Sequence, residues 1–92
     1  MKAMRRDLKK VAPETLADLR RGEEGTLEAL DLPAADARRL MELGFLPGAR
    51  VAAGRAAPGG DPRVFRVDGS EIALRRTTAR HIRLRHAAGA AK

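Results

Sequence analysis

The sequence has no cysteine, no tryptophan and no tyrosine, and only two of its 92 residues are phenylalanine. Because cysteine is absent, the chain contains no disulfide, no cysteine-ligated zinc, no iron–sulfur cluster and no thiolate nucleophile. It also has no apolar run near the roughly 20 residues that a membrane-spanning helix needs. A chain of this length holds one small core, so we do not expect a large enzyme with a deep cleft.

The apolar residues that are present are mostly small. The chain is 43% hydrophobic, but 18 of those residues are alanine, and Leu, Ile, Val and Phe together number 19 of the 92. That fraction is close to the roughly 20% below which chains tend to remain disordered. The fold must therefore close around few aliphatic side chains, as a small barrel or a short helical bundle does.

Positive charge is in excess and unevenly distributed. The chain has 19 Lys+Arg against 12 Asp+Glu, a net charge of +7, and residues 63–92 alone contribute +6. A basic surface attracts nucleic acid, acidic protein or anionic lipid. A GC-rich coding bias explains the excess equally well, since 15 of the 19 basic residues are arginine in a chain rich in Ala and Gly.

Both ends of the chain differ in composition from the middle. Met1, Met4, Leu8 and Val11 repeat at helical spacing among basic residues. This pattern predicts either a basic helix that contacts a partner or a membrane surface, or a frayed extension, because about 11 helical residues are marginal alone in water. We favour the second interpretation for residues 1–14, and we expect the alanine-rich residues 86–92 to be a disordered tail.

Short alternating segments between turn residues predict a mainly β fold. In the first strand the alternation places Leu27 and Ala29 on one face. One helix follows, with Leu40 and Met41 on its apolar face and Gly44 just past its end. The plan is a small five-stranded barrel, closed or nearly closed, with one α-helix inserted after the first strand, and closure would remove the edge strands. The predicted strands are Thr26–Leu30, Arg50–Ala56, Arg63–Val67, Ser70–Leu74 and His81–Arg85, the helix is Asp36–Leu43, and short helical turns fall at 15–19 and 77–80.

Groups that usually carry catalysis are missing from the sequence. No Gly-rich loop ends in Gly-Lys-Ser/Thr, and the only serine, Ser70, has no nucleophile-elbow pattern around it. His81 and His86 lack an obvious third ligand, so a metal site there is a minor alternative to surface histidines. Outward arginines favour binding of nucleic acid, but the sequence has no Tyr or Trp on which bases could stack. We predict no enzyme, no cofactor and no metal site.

Several motifs resemble, in order and spacing, those of the FeoA family. The family pattern Leu-x-x-Leu-Gly-Leu-x-Pro-Gly corresponds to residues 40–48, with Phe45 at the position of the commoner Leu. Ala-Pro-x-Gly-Asp-Pro corresponds to residues 57–62, and Ile-Ala-Leu-Arg followed by Ala-x-x-Ile corresponds to residues 72–82. The resemblance covers residues 15–85, which we take as the FeoA-like domain.

The resemblance implies a five-stranded SH3-like barrel in a cytosolic, non-enzymatic accessory protein of ferrous iron uptake. Its implied partner is FeoB, a membrane permease with a cytosolic GTPase domain, which would bring the chain to the inner face of the membrane. The family is also associated with transition metals, although no ligand set is recognisable in this chain. The alternatives are a small nucleic-acid-binding barrel and a regulatory domain like the C-terminal module of DtxR-like metal-dependent repressors.

Two groups of residues are candidates for partner binding. Leu43, Phe45 and Leu46 crowd around one tight turn, where not all three can be interior, although Phe45 can equally staple the helix end to the core. Arg75 and Arg76 offer a second, electrostatic contact with acidic protein or lipid headgroups. The remaining motif residues are expected to have structural roles in turns and loops: Gly44, Pro47, Gly48, Pro58, Asp61, Pro62 and Gly69.

Overall fold

Five antiparallel strands form one sheet in the order β4-β3-β2-β1-β5 within residues 12–85, the part of the chain that the computed structural model describes. The predicted amphipathic stripe, the predicted tail and His86 lie outside these residues. The elements are β1 (Glu24–Leu30), α1 (Ala34–Glu42), β2 (Arg50–Ala56), β3 (Arg63–Val67), β4 (Ser70–Leu74), α2 (Arg76–Ala79) and β5 (Ile82–Leu84), preceded by a 3-10 turn at Leu16–Asp18. The mainly β class with one principal helix after the first strand is therefore confirmed.

The boundaries of the central strands agree with the alternation in the sequence. β2, β3 and β4 begin and end at the predicted residues. α1 begins two residues earlier than predicted, at Ala34, with Pro33 as its N-cap residue. No helix in residues 12–85 has the length and apolar character to cross a membrane.

The core is formed by the inward faces of the strands and by the segments that pack over them. β2 and β3 bury Val51, Ala53, Phe65 and Val67, as the alternation predicts. Among the described residues no polar or charged side chain is buried. A core with few aliphatic residues thus avoids the cost of desolvating polar groups.

β1 departs from the predicted alternation. The register shifts between Leu27 and Ala29, so Leu30 rather than Ala29 packs against the core beside Leu27. An extra residue in one strand reverses the alternation and bends the strand. The irregularity comes where β1 stops pairing with β2, through residues 24–26, and begins to pair with β5, through residues 27–30.

The outer edge of β5 is covered by the chain itself. The amide of Leu84 donates a hydrogen bond of 2.8 Å to the carbonyl of Glu14, and Thr15 pairs with Arg83. Leu16, which is fully buried, anchors this covering segment in the core. The folded part of the chain therefore already includes Glu14, one residue before the domain start expected from the sequence.

The outer edge of β4 has no such cover. Within residues 12–85, β4 pairs only with β3, and the chain leaves it through α2 to reach β5 beside β1. Since Glu14 and Thr15 occupy the far side of β5, β5 does not close onto β4, and no other strand within residues 12–85 pairs with β4. The expectation that closure removes the edge strands is therefore wrong at this edge.

Candidate functional site

The turn that follows α1 has a defined hydrogen-bond pattern. The amide of Phe45 donates to the carbonyl of Leu40, and the amide of Gly44 donates to the carbonyl of Met41, both at 3.0 Å. This is the Schellman arrangement, which requires a left-handed residue, and Gly44 has φ +113°. The predicted helix stop at Gly44 is thus confirmed, and it directs the next residue toward the core.

The three apolar residues at this turn have different environments. Phe45 is fully buried, whereas the side chains of Leu43 and Leu46 are 45% and 48% exposed. Because Phe45 follows the Schellman turn into the core, it offers no surface to a partner, and we remove it from the candidate contact. Met41, which the helical pattern placed on the apolar face of α1, is exposed instead. We call Met41, Leu43 and Leu46 the α1-turn surface.

A second turn keeps Leu46 on the outside. The amide of Ala49 donates to the carbonyl of Leu46 at 2.9 Å, which encloses Pro47 and Gly48 as the central pair. Gly48 has φ +92°, as the second central position of a type II turn requires. Its amide also donates to the carbonyl of Leu27 at 2.8 Å, which ties the turn to β1.

The loop between β2 and β3 is attached to the start of α2. A turn with Pro58 at its first central position is closed by a 2.8 Å bond from the amide of Gly60 to the carbonyl of Ala57. Asp61 Oδ1 accepts a 2.9 Å hydrogen bond from the amide of Arg76. The carbonyl of Pro62 accepts from the amide of Ala57 at 2.8 Å and closes the base of the loop.

The β3–β4 hairpin has the two-residue loop that the sequence predicts. Asp68 and Gly69 have φ values of +51° and +81°, and Val67 pairs with Ser70 on either side of them. Positive φ at both central positions is typical of a type I′ turn. Gly69 thus has the structural position expected of it.

Arg75 and Arg76 are exposed at the end of β4, and no ion pair joins either side chain to another described residue. Four other exposed arginines are paired with a carboxylate across the sheet. Exposed pairs contribute about 0–1 kcal/mol to stability, but they locally neutralise the arginines involved. The pairs are Arg50–Glu24, Arg66–Glu71, Arg83–Asp31 and Arg85–Glu28.

A groove with a mixed polar and apolar lining lies between α1 and β4. Leu40 and Leu43 line it from the helix, and Ile72 and Leu74 line it from the strand, together with the polar residues Asp36, Arg39 and Thr78. We call this feature the α1–β4 groove. Residue patterns do not predict this groove, because it depends on the distance between two elements that are remote in sequence. Leu43 belongs both to the groove and to the α1-turn surface.

The described part of the chain has little metal-binding chemistry. His81 is exposed, and no group of three or more His, Cys, Asp or Glu side chains in residues 12–85 is arranged to hold a metal ion. The described surface instead offers exposed apolar side chains at the α1 turn and unpaired guanidinium groups at the end of β4, both of which are suited to contact with another molecule.

Comparison with known proteins identifies the family. The family model described as the FeoA domain matches residues 14–86. The chain belongs to the FeoA family. It is 33% identical to the FeoA protein from Chlorobium tepidum, covering 76% of this chain and 67% of that one, with a TM-score of 0.73. It is 35% identical to Stenotrophomonas maltophilia FeoA complexed with zinc, covering 77% and 88% of the two chains, with a TM-score of 0.67.

The S. maltophilia FeoA is described as a prokaryotic SH3 domain protein and proposed as a bacterial ferrous iron transport activating factor. The similarity confirms the SH3-like architecture. A manganese-dependent transcriptional repressor shares the fold at 18% identity, a TM-score of 0.67 and coverage of 80% of this chain and 42% of that one. Curated proteins gave no match.

The FeoA motif residues of this chain act mainly through the backbone. Gly44, Gly48 and Gly69 supply positive φ values in turns, and Asp61 ties a loop to α2. The motif thereby holds the neighbouring side chains at defined positions on the surface, and those side chains are the ones available to a partner.

Proposed function

We propose that this FeoA-family chain is a non-enzymatic accessory protein of ferrous iron uptake that acts in the cytoplasm. It binds the cytosolic side of a FeoB-type GTPase permease through the α1-turn surface. The observation that carries this proposal is the exposure of Leu43 and Leu46, at 45% and 48%, on either side of the fully buried Phe45. Aside from Met41, no other large apolar residue in the described part of the chain is exposed.

Two backbone turns make this surface suitable for binding. The bonds from Phe45 to Leu40 and from Ala49 to Leu46 hold the chain on both sides of the exposed leucines. A surface that is ordered before binding loses less conformational entropy on association. Complete burial of a fully exposed leucine side chain contributes about 1.5–3 kcal/mol. Leu43 and Leu46 are already about half buried, so each can contribute about half of that on binding.

Arg75 and Arg76 add an electrostatic contribution to the proposed contact. Their side chains are exposed and make no ion pair with a described residue. Such charges mainly raise the association rate with an acidic surface, and salt screens their effect. Affinity for the permease should therefore fall as ionic strength rises, and an affinity that stays constant from low to high salt would exclude this contribution.

The proposal is tested by measuring the affinity of the purified permease for variants of the chain. Leu46→Glu should weaken binding by about tenfold or more, because it replaces an apolar anchor with a charge. Ala35→Glu is the matched control, since it adds the same charge at an exposed position in the first turn of α1. Folding of both variants is checked by circular dichroism. Unchanged binding by a folded Leu46→Glu variant would contradict the proposed contact.

A further inference from the structure

The free edge of β4 presents unpaired main-chain groups. In a two-residue hairpin the residues that flank the loop, here Val67 and Ser70, form a hydrogen-bonded pair, and bonded and non-bonded pairs then alternate along the strands. Ile72 is therefore bonded to β3, whereas the main-chain groups of Glu71 and Ala73 point away from it. Both residues are exposed.

No other described group satisfies this edge. Among residues 12–85, no turn, loop or side-chain hydrogen bond reaches the main chain of Glu71 or Ala73. Two donors and two acceptors are thus directed outward at the spacing of a strand ladder. Such an edge is a template for pairing with another extended chain.

The α1–β4 groove runs beside these groups. Ile72, Ala73 and Leu74 all line it, although consecutive residues of a strand point to opposite faces, so the groove follows the edge of β4 rather than one face. Leu40 and Leu43 of α1 line its other side. A strand added to β4 would therefore place alternate side chains against apolar groups of the helix.

Charge indicates which kind of chain fits this edge. The full chain has a net charge of +7, which opposes the approach of a second copy and attracts an acidic segment, and residues 12–85 contribute +2 of it. Arg39 lines the groove together with Asp36, both of them exposed, and Arg75 is exposed directly after β4 and adds a positive charge there. Neither arginine makes an ion pair with another described residue.

We propose that β4 binds an extended segment of the permease by strand addition. The segment pairs with the main chain of Glu71 and Ala73, directs alternate apolar side chains into the α1–β4 groove, and carries an acidic residue that reaches Arg39 or Arg75. The identity of the partner depends on the function proposed above, whereas the mode of binding depends on the free edge and the groove.

Proline at position 73 tests the pairing. Ala73→Pro removes the outward amide, which no bond within the sheet uses, so the variant should fold. Its affinity for the purified, detergent-solubilised permease should fall by about tenfold, because one hydrogen bond is lost and the ring blocks the approach of a strand. Ala73→Ser keeps the amide and nearly the same volume, and it should bind within about twofold of the original chain.

Amide hydrogen exchange gives a measurement that needs no variant. In the free protein the amides of Glu71 and Ala73 should exchange much faster than that of Ile72, which is bonded to β3. Addition of the permease should slow exchange at Glu71 and Ala73. Exchange at these two amides that stays fast in a saturated complex would overturn strand addition.

The possible results separate the two proposals. If Ala73→Pro binds like the original chain, strand addition is wrong and the α1-turn contact stands. If Ala73→Ser loses as much affinity for the permease as Ala73→Pro, the size of the side chain rather than main-chain pairing determines the affinity. Strand addition is then again wrong. If the original chain self-associates and Ala73→Pro does not, the occupant is a second copy. If the original chain does not bind the permease, the proposed function fails, and this use of the edge fails with it.

Discussion

The outer edges of β5 and β4, the two outermost strands of the sheet, differ. The edge of β5 is covered by Glu14 and Thr15, with a hydrogen bond from Leu84 to Glu14 and a buried anchor at Leu16. The edge of β4 has no covering strand among the described residues. Glu14 and Thr15 thus cover one edge of the sheet, and no other described residue pairs with the opposite edge.

The difference extends to the side chains near each edge. Leu84 and Ile82 of β5 are buried, whereas Ile72 of β4 is only partly buried and Leu43 across the groove is 45% exposed. β4 is short, with Glu71 in it and Arg75 after it, which limits uncontrolled edge pairing. The covered edge contributes to stability through the buried Leu16, and the free edge is the one that the proposed strand addition uses.

The largest expected effect is at the covered edge. Leu16→Ala should lower the free energy of unfolding by about 2–5 kcal/mol, because it removes a fully buried side chain and leaves a cavity. The amide of Leu84 should also exchange faster as the covering segment loosens. Denaturant unfolding and amide exchange measure the two effects. Leu46→Ala, at an exposed leucine, is the control and should change stability by less than about 0.5 kcal/mol. Equal losses in both variants would contradict the importance of the anchor.

A smaller effect is expected at the turn that ends α1 beside the free edge. Gly44→Ala should destabilise the protein by about 1–3 kcal/mol, since φ +113° strains any residue with a side chain. An added Cβ would lie 3.5 Å from the nearest atom, Asp68 Cβ, so the loss comes from the backbone rather than from a clash. Thermal unfolding measures it, with Glu42→Ala as a control in the last turn of α1. A loss no larger than that of the control would contradict the need for glycine.

The smallest effect on stability is expected at the free edge itself. Ala73→Pro should change the free energy of unfolding by no more than about 1 kcal/mol, because the lost amide has no partner in the sheet. Ile72→Pro, one residue earlier, removes an amide that is bonded to β3 and should be clearly more destabilising. Denaturant unfolding measures the free energy of unfolding of both variants. Similar losses would show that the edge of β4 is not free.

Much of the fold was predictable because it depends on local rules. Alternation defined β2, β3 and β4, and the conformations of Gly44, Gly48 and Gly69 were predictable because few other residues adopt positive φ. The bulge after Leu27 was not predictable, since it depends on β1 pairing with two different strands. After this bulge the opposite face of β1 points toward the core, although the sequence correctly predicted a strand here.

The candidate site was predictable only in part. Leu43 and Leu46 are exposed, as a contact at this turn requires, while Phe45 is buried and Met41 is exposed. Spacing alone left both interpretations of Phe45 open. The Schellman hydrogen bonds decided between them, because the residue that follows the left-handed glycine packs back onto the helix end.

By itself, the sequence determined the strands, the turns, the helix stop and the FeoA motifs, because each depends on residues close together in the chain. Only the tertiary structure decided which edge of the sheet is covered, how far α1 lies from β4 and which leucines remain exposed. These features depend on contacts between segments remote in sequence. The pairing of Glu14 with Leu84 crosses almost the whole domain, and the lack of a described partner for the outer edge of β4 appears only when the strand order is known.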